Sequence, residues 1–183
     1  VASSDPGATT FMPATLTFTP ANYATAQPVT ISGVEDVDLA DESTMITFSS
    51  AGLPNRQAMV SVTDDDVQSI IVTATQVATD EGATVMFGVS LAFSPAQNVS
   101  VMLSSSDAAA AAVSPTTLFF TPATYAMVQQ VTVTGVQDVD LLDEQATLTI
   151  TSGGLPNVTI AVAVNDDDGQ RIVASVPSLG VNE

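Results

Sequence analysis

The ten residues GVEDVDLADE at positions 33–42 return as GVQDVDLLDE at positions 135–144, an offset of 102. The same offset carries Asp64, Asp65 and Asp66 onto Asp166, Asp167 and Asp168, and Asp5 onto Asp107. It also carries FTPANY at 18–23 onto FTPATY at 120–125 and GLPN at 52–55 onto GLPN at 154–157, with no gap anywhere. A period of this length belongs to a whole domain repeated in tandem, because solenoid units run to about 20–50 residues. The 183 residues amount to less than two periods, so the spacing predicts one complete copy between two partial ones. Residues 1–68 read as the later part of a first repeat, 69–168 as a complete repeat, and 169–183 as the first strand of the next, with Ile172 matching Ile70 and Glu183 matching Glu81.

Within the complete copy, short runs rich in Val, Ile, Thr and Phe alternate with turn residues. The pattern predicts strands over 70–77, 83–91, 99–104, 117–121, 130–134, 146–151 and 158–165. QQVTVTG and TLTITS alternate strictly, so each offers one apolar and one polar face. The breaks Ser94-Pro95, Ser114-Pro115, Thr121-Pro122 and Leu155-Pro156 separate the strands, since proline cannot donate to a central ladder. The alanine run 108–112 is short and closely followed by Pro115, which favours a strand or turn over a helix. Seven strands in about 100 residues describe an all-β fold, a tandem antiparallel β-sandwich of the immunoglobulin-like kind. The six methionines are expected as core or gap filler, and Tyr23 and Tyr125 as packing over the sandwich edge.

Composition excludes several function classes. The net charge is −18, with Arg56 and Arg171 as the two cations, which argues against binding nucleic acid or an anionic membrane surface. No run of 18 apolar residues suggests membrane insertion, and residues 1–10 lack the regions of a signal peptide, so targeting information is expected to lie outside these residues. Without His, Cys or Lys, and without a G-x-S-x-G or phosphate-binding glycine loop, catalysis has little to stand on, and no enzyme is expected. The absence of cysteine also leaves a secreted array without disulfides, for which a bound metal is a usual substitute.

The twenty acids are confined to a few short segments, and the stretches read as strand interiors carry none. A surface charged merely for solubility would scatter them. In an antiparallel sandwich the loops gather at two ends, so acids distant in sequence can converge. Asp138, Asp140, Asp143 and Glu144 in one loop, with Asp166, Asp167 and Asp168 as a second wall, offer the flexible oxygen-rich surroundings that calcium accepts. Carboxylates about 4 Å apart repel by roughly 1 kcal/mol per pair in water, so a gathering of them calls for a counter-cation.

These motifs, with TDEG at 79–82, the closing VTDDD and VNDDD, and the stretch from SSSD to FTPATY, resemble the Calx-beta domain and related tandem repeats of large bacterial surface proteins and adhesins. The resemblance implies a seven-stranded sandwich with calcium at one tip. It assigns as ligands Glu81, Asp107, Asp138, Asp140, Asp143, Glu144, Asp166, Asp167 and Asp168 in the complete copy. In the first copy the matching residues are Asp5, Glu35, Asp36, Asp38, Asp41, Glu42, Asp64, Asp65 and Asp66. The acidic loop is sparser than in exchanger-type members, and Gln137 stands where the first copy has Glu35, which leaves the number of ions per site open.

The expectation is therefore a calcium-stiffened stalk or filament on a bacterial cell surface, whose partners are neighbouring repeats of the same chain or identical chains in a filament. Calcium held at the aspartate run would restrain the angle between successive repeats. In the alternative, the sandwich face itself recognises a glycan or protein, which grouped exposed aromatics would favour.

Overall fold

A computed structural model describes residues 1–173 and Gly180, and every regular element among them is a β-strand. The strand expected over 169–183 lies mostly outside the described residues, and positions 169–173 carry none. The chain divides into two compact units: residues 1–68 with 92–98 and 121–126, and residues 69–91, 99–120 and 127–183.

The second unit is a two-sheet sandwich. Its strands are β6 (Ile70–Val72), β7 (Gln76–Asp80), β8 (Thr84–Leu91), β9 (Val99–Ser105), β10 (Ala111–Ser114), β11 (Thr117–Phe120), β12 (Gln129–Gly135), β13 (Glu144–Thr151) and β14 (Val158–Asn165). One sheet has the order β10-β12-β8-β6 and the other β11-β9-β13-β14-β7. Alternation sets the faces: Val131 and Val133 of β12, Leu148 and Ile150 of β13, and Ile160, Val162 and Val164 of β14 are buried, while Gln130, Thr147 and Thr159, each just before its set, are exposed.

The seven expected strands become nine here for two reasons. The run 70–77 is not one strand, because β6 pairs antiparallel with β8 (Ile70↔Leu91) and β7 pairs parallel with β14 in the opposite sheet (Ala161↔Gln76). Residues 73–75 carry the chain across, which the run of strand-forming residues alone could not reveal. The alanine run supplies the ninth: 108–110 form a turn and Ala111 opens β10.

The first unit holds β1 (Ala2–Ser3), β2 (Thr9–Met12), β3 (Thr30–Gly33), β4 (Glu42–Ser50) and β5 (Leu53–Val62), in sheets β1-β4-β5 and β2-β3. Its pairings are those of the second unit moved by the sequence offset. Ala2↔Thr47 answers Ser104↔Thr149, Thr9↔Gly33 answers Ala111↔Gly135, and Glu42↔Val62 answers Glu144↔Val164. Phe120 is wholly buried, whereas its counterpart Phe18 is 53 % exposed.

Two side-chain expectations fail. Met12, Met59, Met86, Met102 and Met127 are exposed rather than core, because in β8 and β9 the outward positions of the alternation fall on Met86 and Met102. Tyr23 is 74 % exposed rather than packed, while Tyr125 is half-buried.

Candidate metal centre

In the second unit the acidic segments meet at one end of the sandwich. Glu81 follows β7 directly, and its backbone is tied to both sheets. Its N–H donates to the Asn165 carbonyl at the end of β14 (3.0 Å), and the next N–H, of Gly82, donates to the Gly135 carbonyl at the end of β12 (2.9 Å). Gly135 makes this approach possible, since a Cβ there would lie 2.5 Å from the Asp80 carbonyl oxygen. Gly82 has φ +68°, a left-handed turn that glycine adopts without a steric penalty.

Held there, the Glu81 side chain is only 4 % exposed. Its Oε2 accepts from the Gln137 amide (2.8 Å) and the Asp138 N–H (3.2 Å). Its Oε1 is buried with no hydrogen-bond partner, and so is Oε2 of Glu144, the first residue of β13. A buried carboxylate oxygen without a donor is costly, and nearly all such atoms in folded proteins find a partner.

Two overlapping sets of acids surround these orphaned oxygens. Carboxylate oxygens of Glu81, Asp138 and Glu144 lie within 4.8 Å of one another, and so do those of Glu81, Asp166 and Asp168. Either set could hold a metal ion. Burial first, and then the charges of Asp138, Asp166 and Asp167, push the Glu81 carboxyl above its ordinary value, against a lowering by the Asp138 N–H. Glu144 is raised in the same way, first by burial and then by Asp138, Glu81, Asp140 and Asp166. Both environments therefore disfavour the charged form relative to a solvated glutamate, and a cation would offset this.

The remaining expected residues serve the scaffold with at least one oxygen. Asp138 accepts from the Asp140 N–H (2.9 Å), Asp140 from the Leu142 N–H (2.8 Å), and Asp143 from the Asp166 N–H (3.0 Å), which ties the acidic loop to the closing aspartates. Asp167 accepts from Gln137 (2.9 Å). Asp107 belongs to neither set; its Oδ1 accepts from the N–H groups of Ala109 and Ala110 and shapes the turn before β10. Gln137 went unnoticed as a contributor because only its difference from Glu35 marks it in the sequence.

The first unit repeats this loop bond for bond: Asp36 accepts from Asp38 N–H, Asp38 from Ala40 N–H, Asp41 from Asp64 N–H, and Asp64 from Asp66 N–H. Asp36, Asp38 and Glu42 form one set of three, and a cleft of about 330 Å³ is lined by Glu35, Asp36, Glu42, Asp64, Asp65 and Asp66. Burial and neighbouring aspartates raise Glu42 and Asp66. Asp5 caps the N–H groups of Gly7 and Ala8, as Asp107 does in the second unit. Its set of three contains no buried acid.

No family model and no curated protein matches the chain. Among solved structures it is similar to domains 4–9 of the surface layer protein SbsC, with a TM-score of 0.46 and 21% identity over 83% of this chain. The chain spans 20% of that protein's length. It is also similar to WR4, a C. elegans MSP family member, with a TM-score of 0.36 and 10% identity over 53% of this chain and 96% of that one. At these scores neither neighbour bears on what the site does. No helix among the described residues is long and apolar enough to cross a membrane.

Proposed function

We propose that the chain is a calcium-binding structural segment of a long extracellular surface protein, built from tandem Calx-beta-like sandwiches that act as a stalk or filament for adhesion on a bacterial cell. The observation that carries this reading is the pair of buried, donorless oxygens, Glu81 Oε1 and Glu144 Oε2, set among carboxylates from the acidic loop and the closing aspartates. An all-oxygen, multiply anionic set of this kind suits calcium, which takes six to eight oxygens in loose geometry. Zinc and copper draw on His and Cys, which the chain lacks, and magnesium holds to a tight octahedron. Glu81, Asp138, Glu144, Asp166 and Asp168 would hold the ion in the second unit. The ion would neutralise charge that otherwise opposes folding of that end of the sandwich. Calorimetric titration of the 183-residue chain with CaCl₂, repeated with MgCl₂, tests the reading: saturable binding of calcium in preference to magnesium is expected, and heat of dilution alone for both refutes it.

A further inference from the structure

The side chain of Gln137 lies between two carboxylates, with Nε2 2.8 Å from Glu81 Oε2 and 2.9 Å from Asp167 Oδ1. Ionised carboxylates only accept, so the NH₂ end must face both of them, and its two protons serve one acid each. A neutral amide here joins two anions that would otherwise repel. One period earlier the same position is Glu35, an acceptor that could join nothing without a cation.

Resting on the calcium reading above, we propose that the Gln137 carboxamide stands in for one cation, so that the second unit binds one ion fewer than the same site with glutamate at this position. Asp167 is absent from both metal-capable sets, and its Oδ1 is held by the amide. The two sets share Glu81, whose Oε1 has no hydrogen-bond partner. Gln137 thus selects which of the assembled carboxylates are left for metal. It also keeps Glu81 and Asp167 together when calcium is scarce, so part of the site persists without the ion.

The test is calcium titration of the full 183-residue chain carrying Gln137→Glu, using CaCl₂ alone, beside the unaltered chain and Glu81→Gln. Gln137→Glu is expected to raise the stoichiometry by one calcium per chain and to lower the melting temperature in EDTA. Gln137→Met, which removes the amide without adding charge, guards against a variant that fails to fold. It is expected to melt lower than the unaltered chain in EDTA and to gain more from calcium. If Glu81→Gln loses calcium but Gln137→Glu adds none and Gln137→Met gains no more than the unaltered chain, the role of Gln137 is refuted and the calcium reading stands. If the unaltered chain binds no calcium, both fall.

Discussion

Replacing Glu81 with Gln should change the stability of the second unit in opposite directions with and without calcium. Glutamine keeps the size of the side chain and an oxygen able to accept from Gln137 and Asp138, but it removes one negative charge from the group of five acids, at its buried member. In EDTA that charge is a liability, since burial and the charges of Asp138, Asp166 and Asp167 all disfavour it, so the variant should melt above the unaltered chain. In calcium the order reverses, because Glu81 is the one acid common to both metal-capable sets. A ligand at a hundredfold excess over its dissociation constant stabilises the folded state by about 2.7 kcal/mol. For a domain of about 100 residues, each kcal/mol moves Tm by about 4–8 °C, so calcium should raise the melting temperature of the unaltered chain by roughly 11–22 °C. The variant should keep only a small part of that rise. Differential scanning calorimetry at matched ionic strength, in EDTA and in millimolar calcium, reads all four numbers. A Glu81→Gln chain that melts lower by the same amount in both buffers would show that Glu81 is an ordinary structural residue.

The raised carboxyls of Glu81 and Glu144 set the sign of the pH response: the folded state holds their protons more tightly than the unfolded chain, so metal-free stability should fall as pH rises from the ordinary glutamate range through their raised values. Melting in EDTA should therefore drop as pH rises above the ordinary glutamate range, while the calcium increment grows over the same interval because protons compete for the ligands; a flat EDTA profile would count against ionised, uncompensated acids. Gly135→Ala would place a methyl 2.5 Å from the Asp80 carbonyl oxygen and push Glu81 out of place, costing about 1–3 kcal/mol and most of the calcium response; Gly153→Ala, with nothing within 4 Å, should do neither in the same calorimetric assay. Leu148→Ala removes a fully buried side chain and should cost about 2–5 kcal/mol by urea denaturation, whereas Val139→Ala, at a position 94 % exposed, should stay within about 0.5 kcal/mol.

The sequence and the structure agree most closely where a local pattern decides the outcome. The strand over 158–165 is found at the expected residues, because a run rich in Val, Ile and Thr follows directly on a Leu-Pro-Asn turn. The 102-residue offset foretells not only which segments are strands but their register, since identical turns and identical alternation must pair alike. What stayed hidden depends on which sheet a strand joins. The split of 70–77 into β6 and β7 is such a case, and it determines the site, because the parallel pairing of β7 with β14 delivers Glu81 between the ends of the two sheets. The acidic positions could be read as a cluster, but not the division of labour within it. Asp138, Asp140 and Asp143 each commit an oxygen to a backbone N–H and shape the loop, while Glu81 contributes a buried oxygen that nothing among the described residues satisfies. Spacing alone treats these acids as equivalent. Only the hydrogen bonds distinguish their roles, and among them Gln137 is an uncharged side chain joined to two carboxylates, Glu81 and Asp167.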